Sequence, residues 1–176
     1  MLWLLMQQKA ESRRLARVAA CDPVTAIAHR QAFSGNVENV LSQSGAFILL
    51  DIDDFRRVND RYGRDVGDLC LRALAQRLRE LTRTTDVIGR LDGPSFAVHL
   101  PGAMMQHAGD IAQRLSDGLL IMIDGRPLRL TISAGVVFAD GHTSLDQLIF
   151  TAERALDRAK LQGRARVEMD VTPFAA

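Results

Sequence analysis

The sequence predicts one α+β domain: a ferredoxin-like split βαβ sheet with helices on both faces, preceded by an N-terminal linker helix. Three observations carry this expectation. Ala46-Phe-Ile-Leu-Leu50 is a continuous apolar run closed by Asp51, the pattern of a strand buried on both faces. Leu71, Leu74, Leu78 and Leu81 recur at spacings of three and four, the stripe of an amphipathic helix. Segments of these two periods then alternate along the chain, which holds 176 residues, 47% of them hydrophobic and 24% charged. That length and composition suit one folded domain with a short appendage and argue against disorder.

The elements follow in order. From Trp3 to about Ala20 the chain lacks Pro and Gly and is rich in helix formers, and Cys21-Asp22-Pro23 ends it. Its heptad pattern is poor, because Lys9 and Ser12 follow Leu2 and Leu5, so a solvated connecting helix is expected rather than a coiled coil. A helix is predicted from His29 to about Leu41, with Ala32, Phe33, Val37, Val40 and Leu41 on one side. The central strand, 46–50, is followed by a helix from Phe55 to Tyr62. A break at Gly63…Gly67 leads into the leucine-striped helix. Val87-Ile88 and Phe96–Leu100 flank Asp92-Gly93-Pro94, a predicted β-hairpin. A helix over 103–118, a strand from Arg129 to Phe138, a helix over 144–162 and a short strand, Arg166–Met169, complete the series. The domain boundaries read 1–21 for the linker helix, 22–170 for the domain and 171–176 for a tail.

Several function classes fall away. The net charge of +1 gives no footprint for nucleic acid. The four histidines show no HxH or HExxH grouping, so a zinc site is not expected. Cys21 and Cys70 form no CxxC pair and read as reduced thiols, with Cys70 between two leucines as a core residue. The apolar start, Met1–Met6, is far shorter than a bilayer span. A cytoplasmic domain is expected, or the cytoplasmic part of a membrane-anchored protein.

Five collinear pieces carry a resemblance. Asp22-Pro-Val-Thr-Ala-Ile-Ala-His-Arg30 resembles DPLTGLxNR. The block from Asp51 through Asn59 to Asp68 is similar to DxDxFKxxNDxxGHxxGD. Arg90-Leu-Asp-Gly-Pro-Ser-Phe96 stands where RxGGDEF would be. Thr131–Gly135 matches TxSxG, and Ala159–Arg164 matches AKxxGRN. Over residues 22 to about 168 the chain thus resembles the GGDEF domains of bacterial diguanylate cyclases. The resemblance implies a nucleotidyl-cyclase palm and signalling through cyclic di-GMP. Departures stand at Ala26 for Gly, His29 for Asn and Arg64 for His.

The resemblance also implies a lost reaction. Joining two GTP molecules requires metal ions to neutralise triphosphate charge and activate the 3′-hydroxyl, and Mg²⁺ takes oxygen ligands. In the family one carboxylate lies at the strand end, here Asp51, and an acidic pair lies on the hairpin. Those hairpin positions are Pro94 and Ser95, so Asp51 reads as a remnant and no catalytic residue is assigned. Asp92 replaces the first glycine, two residues before the family's acidic pair; residual cyclase activity would need it as a stand-in ligand. No cofactor is required, and magnesium is expected only with a bound nucleotide.

The binding positions are retained. Phe55, Asn59 and Asp68 fall where the family meets guanine, and Lys160 and Arg164 where it holds the triphosphate. Each also has a plain structural reading: Asp68 as a helix N-cap after Gly67, Lys160 and Arg164 as cations at a helix C-terminus. The family's inhibitory RxxD motif is matched by Arg83-Thr-Thr-Asp86, five residues before the hairpin motif, and Arg114 occupies the place of an additional arginine on the next helix. Arginine can pair with guanine O6 and N7, while RxxD can equally be a helix-end ion pair. Two functions stay open: an inactive GGDEF domain that receives cyclic di-GMP through Arg83, Asp86 and Arg114, or an allosteric or dimerisation domain that binds GTP or nothing. The expected partners are cyclic di-GMP, GTP in the second reading, a homodimer mate or an attached sensory or phosphodiesterase domain, and no nucleic acid.

Overall fold

The computed structural model describes residues 20–170 and, before them, Gln7 alone. The linker helix expected over residues 1–21 and the tail over 171–176 therefore lie outside the described residues, apart from Gln7, Ala20 and Cys21.

The sheet is organised around β2 (Gly45–Ile52), the apolar run of the sequence. It pairs antiparallel with β4 (Ser95–Pro101) on one side and β7 (Ile132–Ala139) on the other, in register from Gly45 to Asp51 on both. β3 (Val87–Asp92) pairs antiparallel with β4 to form the expected hairpin. The two-residue strand β1 (Ala28–His29) lies parallel to β3, and β8 (Val167–Asp170) lies parallel to β7. The order across the sheet is β1-β3-β4-β2-β7-β8.

Two helix pairs cover the faces. On one face α3 (Arg64–Leu81) and α4 (Met105–Ser116) supply Leu71, Leu74, Leu78, Ile111 and Leu115 to a core with Ile48, Leu50, Phe96, Val98 and Val136. On the other, α1 (Arg30–Glu38) and α5 (Leu145–Leu161) bring Phe33, Val37, Leu148, Ala152 and Leu156 against Phe47, Leu49, Ala97 and Val137. Alternate residues of β2 thus serve the two cores, each large side chain contributing about 1.5–3 kcal/mol of burial. Gly135 lets α5 lie directly on β7: a Cβ there would stand 2.3 Å from the Ala152 carbonyl oxygen and 2.6 Å from the Leu156 amide. Cys70 is buried as expected, and burial pushes its thiol up to about 11.

Three expectations are corrected. Gly67 does not break the chain before the leucine-striped helix; it lies inside α3, whose first residue is Arg64, and Gly63 alone takes the left-handed turn, at φ 88°. Asp68 is accordingly not an N-cap, since it sits within the helix. The strand expected over Arg129–Phe138 is two strands separated by Thr131. Its first part belongs to β6 (Arg126–Leu130), which folds back on β5 (Leu119–Ile123) as a separate hairpin. The turn, Asp124-Gly125, has positive φ at both residues (48° and 75°), the geometry that suits a two-residue hairpin. The remaining bounds differ by a few residues: α1 ends at Glu38 rather than Leu41. His29 serves as its N-cap, its Nδ1 accepting from the Ala32 amide at 3.2 Å.

His99 on β4 is fully buried, and neither ring nitrogen has a partner. Burial pushes its imidazole below the ordinary 6.5, with the Asp86 charge opposing in part. Above pH 6.5 the ring is neutral whether the chain is folded or not, and the full stability is present. Below it the unfolded chain takes up a proton that the folded chain refuses. Urea titrations should therefore show stability falling as pH drops from 6.5 toward the lowered folded value, and His99→Leu should flatten that segment of the curve.

Candidate nucleotide site and RxxD turn

β2 ends at the turn that carries the chemistry. Asp51 is the last but one residue of the strand and stands opposite Ser95 on β4 and Ser133 on β7. Asp53 is buried, and its two oxygens are taken by the Ser133 hydroxyl at 2.7 Å and the Ala165 amide at 3.0 Å. These bonds join the β2 end, β7 and the chain leaving α5 at one point. Asp54, at φ 50°, then turns the chain into α2 (Phe55–Tyr62).

A cavity of about 470 Å³ lies over this turn, lined by Asp51, Phe55, Asn59, Pro94, Lys160 and Arg164 among others. It brings together four of the five residues expected for nucleotide and the remnant metal carboxylate. Asp68 is not in its lining; it lies half-buried next to Gly67 on α3. Gly67 has a reason of its own, because a Cβ there would fall 1.9 Å from Asn59 Oδ1. The absent side chain makes room for the Asn59 amide.

Charge in the cavity is internally paired. Lys160 donates to Asp51 Oδ2 at 2.5 Å, and the Arg164 guanidinium stands 3.7 Å from Asp54 Oδ1. Asp51 Oδ1 is buried without a partner. Across from it, where a second carboxylate would be required, the hairpin offers Pro94 and the Ser95 hydroxyl. Among the described residues no three of His, Cys, Asp and Glu come together to hold a metal ion. Asp92 pairs with Ser95 across an irregularity in the hairpin and is exposed. The donor set therefore does not fit the metal ions that the family's reaction uses.

The hairpin is tied to the start of the domain. Arg90 reaches Asp22 at 3.0 and 3.2 Å while its Nε donates to the Gly93 carbonyl at 2.8 Å. Burial works to raise the Asp22 carboxyl, but hydrogen bonds from Thr25 and Arg90 outweigh it and hold it below its ordinary value. The Arg30 side chain adds a bond to the Leu91 carbonyl at 3.3 Å. The sequence reading missed this connection, although Asp22 and Arg90 both belong to the motifs it singled out.

The RxxD turn sits at the other end of the sheet, between α3 and β3, where Val87 faces His99 near the end of β4. Asp86 Oδ2 accepts from the Arg83 amide at 2.7 Å, and the Asp86 amide donates to the Arg83 carbonyl at 3.1 Å. The Arg83 guanidinium is exposed and has no partner among the described residues. Arg114, in the last turn of α4, is exposed in the same way. Arg83 and Asp86 do not form the side-chain ion pair of the structural reading; the aspartate closes its own turn instead.

With this geometry in place, a family model described as diguanylate cyclase, GGDEF domain, matches residues 19–166. The chain belongs to the GGDEF family. It is 34% identical over 160 residues to diguanylate cyclase DgcP of Pseudomonas aeruginosa, covering 86% of this chain and 24% of that protein. To diguanylate cyclase DgcM of Escherichia coli it is 32% identical over 170 residues, covering 93% and 41%. The chain thus spans well under half the length of these relatives. Among solved GGDEF structures, diguanylate cyclase SiaD of P. aeruginosa with its activator SiaC superposes with a TM-score of 0.83 at 28% identity, over 96% of this chain and 69% of that one. The coiled coil and GGDEF domain of DgcB from Caulobacter crescentus, in complex with c-di-GMP, gives a TM-score of 0.85 at 21% identity, over 96% and 95%. That likeness shows the shared palm fold.

Removing the Arg90 link should cost stability and loosen the hairpin locally. Arg90→Ala is expected to lower the unfolding free energy by about 1–3 kcal/mol, since it leaves a partly buried carboxylate short of its partner. Denaturant midpoints measure the loss, and hydrogen exchange at Asp92–Ser95 should accelerate more than exchange in β7.

Proposed function

We propose that this GGDEF domain is catalytically inactive and serves as a cyclic di-GMP receptor, binding through Arg83, Asp86 and Arg114. The observation that carries the reading is the RxxD turn, held closed by its own backbone and by Asp86, with the Arg83 guanidinium left unengaged. A turn fixed before the ligand arrives loses less entropy on binding. Guanine presents O6 and N7 to an arginine fork, and the phosphodiester supplies anionic oxygens to a second arginine. The DgcB structures in complex with c-di-GMP make the same ligand the natural first probe for this chain.

Loss of the reaction rests on the hairpin. Pro94 supplies no side-chain ligand and fixes its own φ, and Ser95 offers a neutral hydroxyl where an anion is required. Occupancy of the RxxD turn would be passed on through dimerisation or through the chain that enters at Asp22. Among the described residues no helix is long and apolar enough to cross a membrane.

Isothermal titration with cyclic di-GMP is the test. Binding at micromolar concentrations is expected, with Arg83→Ala abolishing it because the guanine edge is left without its donor. An absence of binding heat from the intact protein at those concentrations would sink the receptor reading. Incubation with GTP and Mg²⁺ or Mn²⁺ should yield no cyclic di-GMP above blank.

A further inference from the structure

We infer that Lys160 is the resident cation of the nucleotide cavity, standing on Asp51 in place of a divalent metal ion. The cavity then excludes divalent cations, and any nucleotide that enters it does so without metal. This inference concerns the opposite end of the sheet from the RxxD turn and does not rest on the receptor reading.

Each acidic group in the cavity has a defined partner. Asp53 is saturated by Ser133 and Ala165. Asp54 faces Arg164 at 3.7 Å and Arg57 at 4.0 Å. Asp51 is paired with Lys160 at 2.5 Å, and its other oxygen is buried without a hydrogen-bond partner among the described residues. The side chains of the pair are 32% and 16% exposed, sheltered enough that solvent does not cancel the interaction. In the family's pattern this lysine holds a triphosphate while carboxylates gather the metal. Here the hairpin acids are gone, and Ser95 stands directly across from Asp51 with no charge to offer. The ammonium has no rival for the carboxylate. A divalent ion approaching Asp51 would meet like charge at contact distance and find a carboxylate already neutralised by Lys160, with no net negative charge left to repay its dehydration.

The position of Lys160 is built, not incidental. It lies in the last turn of α5, and the chain beyond it is folded back by the Arg164 amide bonding to the Ala159 carbonyl at 3.0 Å. Arg164 and Ala165 both hold left-handed backbone, at φ 64° and 48°, and the Ala165 amide is the one that grips Asp53. The strand end and the helix end are thereby held together around the ion pair.

The two lysines, Lys9 and Lys160, make a direct test practicable. In ¹⁵N-lysine-labelled protein the Lys160 ammonium should give a protected resonance that Asp51→Asn abolishes and millimolar Mg²⁺ leaves in place. By Mn²⁺ electron paramagnetic resonance the wild type should take up no ion that Asp51→Asn removes. Lys160→Met should bind Mn²⁺ about tenfold more tightly than the Lys160→Met, Asp51→Asn double variant. The inference is overturned by Asp51-dependent Mn²⁺ uptake in the wild type, by loss of the Lys160 resonance on adding Mg²⁺, or by a folded Lys160→Met protein that binds Mn²⁺ no more tightly than the double variant. Should Lys160→Met fail to fold, the two wild-type measurements decide alone. No arm contains cyclic di-GMP, so failure here leaves the receptor reading standing, and the reverse.

Discussion

β2 exchanges backbone hydrogen bonds with β4 and β7 along its length while its two faces feed two separate cores. A strand so enclosed has no freedom of register, because a slip by one residue would exchange every side chain between the cores. Its end is therefore firmly placed, and the cavity is assembled there. Asp51 faces the hairpin because the register requires it. Asp53, in the turn just past the strand, gathers β7 and the chain after α5 through its two carboxylate oxygens.

The domain's two candidate sites draw on different parts of this frame. The cavity at the end of β2 joins three elements that are distant in sequence, and its charges are balanced from within. The RxxD turn is local, closed by bonds between Arg83 and Asp86, and it presents its guanidinium outward. The hairpin positions Pro94 and Ser95 border the first site and not the second, since the two lie at opposite ends of the sheet.

Much of this was legible in the sequence. The apolar run 46–50, the leucine stripe and the collinear motifs were enough to place the strand, the helices and the cavity residues Asp51, Phe55, Asn59, Lys160 and Arg164. What escaped had physical causes. Gly67 resembles a helix breaker in one dimension, but its value lies in the contact with Asn59, which only the packed α2–α3 corner reveals. The β5–β6 hairpin was hidden because Arg126–Leu130 continues smoothly into β7; Asp124-Gly125 was its signal, and it went unread. The pairing of Lys160 with Asp51 spans 109 residues, a separation at which no local pattern speaks.

The bond between Asp22 and Arg90 has a mechanical side. Asp22 is where the chain enters the domain, and the same guanidinium that holds it also holds the Gly93 carbonyl at the hairpin tip. One rigid planar group thus ties the entry point directly to the tip, outside both cores. The bond set fixes the hairpin tip to the start of the domain without using the side chains of Pro94 or Ser95.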